Sequence, residues 1–570
     1  MRTILLLYKK KIPLLLFMAI LYAVAAFCEL LMPYQMGIIV SQGIKAGNQE
    51  VIKESGIIMA VLGVAALVVS SLIVRINSRL ATSTERELRT KLFKKINELT
   101  FEEFSLIGTS GLLTRVDSDI GSLAGFASSG VFALLNVPIT FIGGVLLIMS
   151  KDTLIGIVML CVSPIVLIFA CLLAKRLDYL WDRGEKLTDE QNRLVRERLS
   201  GIRVLRAFDK EQEKHEKTKK ATKEMVLSYI KANVLSGFIN PVATVLLNLA
   251  TVVIIAISSS RISYQSALTA GDIISGVQYI AIILNGLLTL SWTITWLPQV
   301  GVATKRINEV FSLKGSHKSE AKEEISRGSI SIKNLTFTYP DSKTPTLKNI
   351  NMQINDGQKI AIIGGTGSGK STLIKLLLAF YPITNGEITL DNKSYSLGIE
   401  SSVRKKISVA LQKAMIFEGT LKENITCFCN DYSEESILKV ISVAQLDGFL
   451  QDKGGLEFEL KQYGANISGG QKQRINIART ILRPASVFVF DDSFSALDFL
   501  TESKLRKELN EYLAGKTQII VTQRIATAMK CDKIFVMERG EIVGEGVHDD
   551  LVKDCEVYSE LYRSQIGGGL

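Results

Sequence analysis

The stretch GGTGSGKS at residues 364–371 has the residue types needed to hold phosphates. Gly364, Gly365, Gly367 and Gly369 let the backbone wrap closely round an anion and turn its N–H groups inward. Thr366 and Ser368 complete the loop. Lys370 brings a positive charge for the β- and γ-phosphates, and the Ser371 hydroxyl is a ligand for Mg2+. The chain continues through Thr372 as STLIKLLLAF, a helix whose positive end faces the anion. A strand, KIAII, precedes the loop, so the GxxxxGK[ST] pattern stands in its proper context. Further on, VFVFDDSFSALD at 487–498 places two carboxylates after four apolar residues. The apolar run reads as a buried strand, and Asp491 at its end is placed to hold Mg2+ through water. Together these residues predict ATP and Mg2+ as ligands.

Between the two lies NISGGQKQRINIAR, residues 466–479. Ser followed by two glycines at a helix start is a good anion cap. Ile467-Ser468-Gly469-Gly470-Gln471, in order after a phosphate loop, resembles the LSGGQ signature of ATP-binding cassette proteins. The resemblance implies that this segment grips the terminal phosphate of a nucleotide bound to an opposite cassette, so that two cassettes sandwich two nucleotides. It also implies three further roles. Tyr339 of FTYP resembles the aromatic that stacks on adenine. Gln412 of VALQKAMIF resembles the glutamine that senses Mg2+ and the membrane domain. Asp498, ending SALD, resembles the aspartate that communicates across the cassette dimer. SGLLTRVDSDI and RLSGIRVLRAFDKE stand where exporters of this family carry their two cytoplasmic loops, so the likeness covers essentially the whole chain.

The chain departs from the family at three places. Hydrolytic cassettes have Glu after the magnesium aspartate; here the residue is Asp492. Losing one methylene withdraws the carboxylate by about 1.5 Å. A misplacement near 1 Å costs on the order of 100-fold in rate. The family's switch histidine is replaced by Gln523 in VTQRIAT. Glutamine hydrogen-bonds a phosphate oxygen but carries neither proton nor charge. Before the signature, Gln462 and Tyr463 stand where Glu and Arg are common. The first two departures together predict a site that binds ATP and hydrolyses it poorly; the third puts the usual cross-talk with the membrane loops in question. The intact signature is useful to a partner's nucleotide, which predicts a heterodimer with a second half-transporter that carries Glu and His. Asymmetric bacterial drug-type exporters resemble this arrangement; a homodimer would hold two impaired sites.

The elements that must position these residues follow from the hydropathy pattern. Residues 329–570 alternate short β-branched runs with turns and helical segments, the pattern of an α/β domain. KGSHKSEAKEEISRG, residues 314–328, reads as a linker. The preceding 1–313 holds six uncharged runs near the roughly 20 residues that cross a bilayer. They cover 12–44 with one acidic interruption, 55–74, 121–150, 153–174, 232–260 and 273–304. The basic residues gather in the long loops 75–119 and 175–231, which places those loops, both termini and the cassette on the cytoplasmic side of a bacterial plasma membrane. Apolar residues such as Leu88, Leu92, Ile96 and Leu99 recur at helical spacing there, so the loops read as helical hairpins. The predicted fold class is an all-α polytopic membrane domain of six transmembrane helices fused to an α/β phosphate-loop nucleotide-binding domain.

Composition agrees with this division. The 570 residues are 47% hydrophobic yet 22% charged, as for a membrane half and a soluble half. The net charge of +11 follows from cytoplasmic loops, without nucleic acid as a partner. Among the seven cysteines, Cys28, Cys161 and Cys171 lie in apolar runs, and the Cys427–Cys429 pair lacks the further ligands of a zinc site. The first apolar run is too long for the core of a signal peptide and reads as a retained span; the short stretch before it leaves no room for a peptidase domain. Within the spans, Glu29 either faces a cavity or sits near the outer interface. Gln278, Asn285, Trp292 and Trp296 either line a translocation path or anchor the helix at the membrane surface. An amphiphilic compound crossing the lipid bilayer is the expected cargo, with a nucleotide-gated regulatory protein as the alternative class.

Overall fold

A computed structural model of the chain describes residues 11–238, 269–315, 327–395, 400–452 and 454–566, with part of 241–256. It divides into two compact units, 1–97 with 107–313, and 98–106 with 314–570.

The first unit is helical. Among the described residues, four stretches are long and apolar enough to cross a membrane: Ile12–Ile44, Gln49–Asn97, Phe101–Lys151 and Ala270–Leu290. The apolar run 153–174 opens a further helix, Thr153–Ser200, and the run 232–260 lies partly outside the described residues. Both basic loops are helical, through Gln49–Asn97 and Phe101–Thr114 in one, and Thr153–Ser200 and Glu211–Gly237 in the other. Charge pairs one turn apart, such as Arg89 with Glu85 and Lys186 with Asp182, support them.

Where no water competes, helix contacts rest on close approach and buried hydrogen bonds. Asn77 Nδ2 donates to Tyr22 Oη at 2.7 Å. Tyr279 Oη donates to the Leu30 carbonyl at 2.9 Å, and Ser275 Oγ to the Pro33 carbonyl at 2.8 Å. At the same crossing the Gly37 and Gly271 backbones meet so closely that a Cβ on Gly271 would lie 2.0 Å from the Gly37 carbonyl oxygen. Glu29 and Asn285 are exposed, and Asn285 Nδ2 donates to its own helix at Ala281. Trp296 is half exposed and Gln278 half buried; the Trp292 side chain lies outside the described residues.

Among the described residues, the second unit holds twelve strands. β1 (Ile330–Phe337), β2 (Leu347–Ile354), β4 (Asn385–Leu390) and β5 (Lys393–Ser394) form an antiparallel sheet in the order β2-β1-β4-β5. β7 (Gly419–Thr420) pairs with β8 (Glu459–Leu460). The third sheet combines β3 (Lys359–Gly364), β6 (Ile407–Ala410), β9 (Val487–Asp491), β10 (Thr517–Thr522), β11 (Lys533–Glu538) and β12 (Glu541–Gly546), in the order β12-β11-β3-β10-β9-β6. Its strands from β11 to β6 run parallel. They are apolar on consecutive residues because both faces are covered. Val487 and Val489 pack toward the antiparallel sheet and the helix Lys370–Leu377, whereas Phe488 and Phe490 pack toward the helices on the other side.

Residues 98–106 belong to this unit although they follow directly on the helix Gln49–Asn97. Phe101 stacks on Phe380, with ring centroids 5.0 Å apart, and meets Tyr381 edge-on at 5.6 Å. Glu103 accepts a hydrogen bond from the Gly315 N–H at 3.2 Å.

Candidate nucleotide site

The parallel sheet brings the site together. Its neighbours β6, β9, β10 and β3 end, in that spatial order, at Gln412, at Asp491 and Asp492, at Gln523, and at the phosphate loop. Register fixes their level: Ala410 pairs with Phe490, Asp491 with Val521, and Val521 with Ile362. Ligands in open α/β sheets bind at these carboxyl ends.

The loop after β3 has the conformation that its glycines permit. Gly367 and Gly369 have φ of +81° and +102°, values a side chain strains to adopt. A Cβ on Gly364 would come within 2.2 Å of the Met537 carbonyl oxygen. The helix Lys370–Leu377 starts immediately after. Lys370 Nζ donates to the carbonyls of Gly364 at 2.9 Å and Gly365 at 2.6 Å, and to Ser368 Oγ at 3.1 Å. Burial pulls its ammonium below the usual lysine range, opposed by the charges of Asp491 and Asp492. Thr366 and Ser371 are exposed on the loop and the first turn.

Thr372 is buried, and its hydroxyl meets Tyr339 Oη at 3.1 Å. Lys375 Nζ donates to the same Tyr339 oxygen at 3.4 Å. The Tyr339 ring is held edge-on by Phe337 at 5.0 Å and by Tyr381 at 5.2 Å, so it joins the aromatic cluster that contains Phe101.

Asp491 is 6% exposed. Burial raises its carboxyl above the ordinary aspartate range, Asp492 adds to the shift, and Lys370 opposes it. Asp492 sits in left-handed backbone with φ +47°, which Asp tolerates better than most residues. Its N–H donates to the Val521 carbonyl at 3.0 Å, and its Oδ2 accepts from Gln412 Nε2 at 3.4 Å. Ser371, Asp491 and Gln412 are all hard oxygen donors, the set that suits Mg2+. The buried Asp491 carboxyl, disfavoured as an anion without a counter-charge, fits a cation there.

Gln523 has an exposed side chain and lies just past β10. Ser468 caps the helix Gly469–Leu482 in a reciprocal box, its Oγ accepting from the Gln471 N–H at 3.3 Å while Gln471 Oε1 accepts from the Ser468 N–H at 2.8 Å. Ser468 and Gly469 are exposed, and Gly470 approaches Ala496. Asp498 is exposed and caps the helix Phe499–Tyr512, accepting from the Thr501 N–H at 2.9 Å, which holds its carboxyl below the usual range. Signature residues thus adjoin the segment that leads to Asp498.

Two supporting residues escaped the motif reading. From the signature helix, Gln473 Nε2 donates to the Gln412 carbonyl at 2.7 Å and Asn476 Nδ2 to the Leu411 carbonyl at 3.1 Å. Polar residues three apart on an otherwise buried helix face were the available signal. Gln462 and Tyr463 form a short turn in which Tyr463, with φ +56°, is exposed.

Comparison with known proteins agrees with both units. Residues 15–288 match the ABC transporter transmembrane region, and residues 347–495 match the ABC transporter domain. An uncharacterized ABC transporter ATP-binding protein of Mycobacterium bovis is 31% identical over 554 residues, spanning 96% of this chain and 94% of the relative. An ATP-dependent lipid A-core flippase of Wigglesworthia glossinidia brevipalpis is 28% identical over 499 residues, 84% of this chain and 83% of the relative. The solved structure of a bacterial Atm1-family ABC exporter with ATP bound is similar in fold, with a TM-score of 0.80 at 20% identity over 99% of both chains. With transmembrane region and nucleotide-binding domain on one polypeptide, the chain belongs to the ABC transporter family.

Proposed function

We propose that this chain is the degenerate-site subunit of a heterodimeric exporter of amphiphilic compounds. Its membrane domain, 1–313 with six spans, is joined through 314–328 to the cassette 329–570, with cassette and termini on the cytoplasmic side of the cell membrane. The observation that carries the reading is the pair Asp492 and Gln523 at neighbouring strand ends, with Asp492 Oδ2 drawn toward Gln412. General-base catalysis needs a carboxylate within about 2.6–3.2 Å of the attacking water. A side chain one methylene short, engaged by an amide, is poorly suited to that task.

The remaining residues serve binding. Glycine N–H groups of the loop and Lys370 hold the phosphates, and Tyr339 offers its ring to adenine. Ser371, Asp491 and Gln412 would hold Mg2+, which would supply positive charge against the phosphates. Ser468, Gly469, Gly470, Gln471 and Asp498 face the partner's nucleotide and complete its competent site. Two cassettes close on ATP, the membrane cavity turns outward, and hydrolysis at the partner's site resets the cycle.

The test uses the full chain, alone and co-expressed with a half-transporter that carries Glu and His. The expected result is ATP binding with slow turnover alone, brisk turnover together, and ATP-dependent substrate accumulation in inverted vesicles. Brisk hydrolysis by the self-associated chain would instead support a homodimeric lipid exporter, the reading favoured by the flippase relatives. Nucleotide binding by the pair without accumulation would support a gated regulatory protein.

A further inference from the structure

Gln523 lies just past the end of its strand, since β10 stops at Thr522. Its position therefore depends on side chains from elsewhere. Gln565, near the end of the C-terminal helix Glu556–Ile566, spans the segment with both ends of its amide. Its Nε2 donates to the Gln523 carbonyl at 2.7 Å, and its Oε1 accepts from the Ile525 N–H at 2.9 Å. This is the pairing that a further strand would supply, delivered by one exposed side chain. Arg524, between the two, is pinned on its other side: Nη1 donates to Glu502 Oε2 at 2.7 Å, and Nη2 to the Ser495 carbonyl at 3.0 Å. The backbone on both sides of Gln523 is thereby fixed, which leaves its side chain free to reach a ligand.

We infer that Gln565 is a positioning residue for Gln523, holding the switch segment so that the Gln523 amide meets the terminal phosphate of bound ATP. The inference rests on the reading of Gln523 as a phosphate-facing residue. An exposed glutamine with both amide ends committed to one loop has a geometric role that packing does not require. ADP lacks the phosphate in question, so the effect separates the two nucleotides.

The experiment measures ATP and ADP affinity of the full chain in detergent by equilibrium binding, for wild type, Gln565→Ala, Gln565→Glu and Gln523→Ala. Gln565→Glu keeps the acceptor for the Ile525 N–H but puts a carboxylate oxygen against the Gln523 carbonyl. In both Gln565 variants the preference for ATP over ADP falls about tenfold, the scale of one hydrogen bond to a charged acceptor, while ADP affinity and the unfolding midpoint stay unchanged. Equal losses for ATP and ADP, or no loss, overturn the assignment. If Gln523→Ala lowers the preference and neither Gln565 variant does, the positioning role fails alone. If Gln523→Ala leaves it unchanged, the phosphate-facing reading of Gln523 fails, and the inference with it.

Discussion

Gln412 Nε2 donates to Asp492 Oδ2 across 3.4 Å, between the ends of the adjacent strands β6 and β9. The contact lies at the long limit of a hydrogen bond, and it joins two residues proposed for the same nucleotide site. Gln473 steadies the Gln412 backbone and the Val521 carbonyl receives the Asp492 N–H, so neither residue drifts freely.

Asp492→Glu extends the carboxylate by about 1.5 Å but leaves Gln523 in place. Turnover of the purified full chain should rise by less than the roughly 100-fold that a restored reach supplies. Adding Gln523→His should raise it further. Steady-state phosphate release from wild type, single and double variants checks this. Normal turnover from Asp492→Glu alone contradicts the joint role of the two residues.

Tyr339→Phe removes the hydroxyl that meets Thr372 but keeps the ring among Phe337 and Tyr381. Nucleotide affinity should hardly change. Tyr339→Ala removes the stacking surface, which is worth about 1–3 kcal/mol per base, and should weaken binding roughly tenfold or more. Titration with a fluorescent ATP analogue distinguishes ring from hydroxyl.

For Asp491 the pKa in the folded protein is raised by burial and by Asp492. The native state therefore holds its proton more tightly than the unfolded chain. Its contribution to stability is lost as pH rises through that raised range and regained as pH falls. Asp491→Asn should accordingly raise the unfolding midpoint of nucleotide-free protein at neutral pH by a few degrees, and the gap should close in acid. The same variant should lose most of the stabilisation conferred by ATP with Mg2+. Thermal unfolding across pH, with and without the ligands, measures both.

Glu502 is 8% exposed and lies between two guanidinium groups, Arg506 Nε at 3.0 Å and Arg524 Nη1 at 2.7 Å. Glu502→Ala leaves the Arg506 charge buried without its counter-ion, a change that costs about 3–5 kcal/mol. The loss should fall at the lower end, because Arg506 keeps Thr527 Oγ1 at 2.8 Å and the Phe494 ring at 4.5 Å. Chemical denaturation of the full chain, followed by a probe in the cassette, should show the drop.

Some of this protein was settled by neighbours along the chain. The phosphate loop was legible because strand, glycine turn and helix are consecutive, and their geometry follows from local backbone freedom and the missing Cβ atoms at Gly367 and Gly369. Asp491 at the end of VFVF was legible for the same reason, as were the cap at Ser468 and the apolar runs of the membrane half. What pattern could not reveal was which distant segments share a strand end or a side chain. The sheet order β6-β9-β10-β3 is not the chain order, so the meeting of Gln412 with Asp492 depends on pairing between remote strands. Residues 98–106 join the cassette's unit because Phe101 finds Phe380 and Tyr381, and Gln565 reaches back to Gln523 from the last helix. Hydropathy records which residues leave water. Only the folded chain decides which partner each meets, since one apolar face or one free carbonyl accepts many partners until packing selects one.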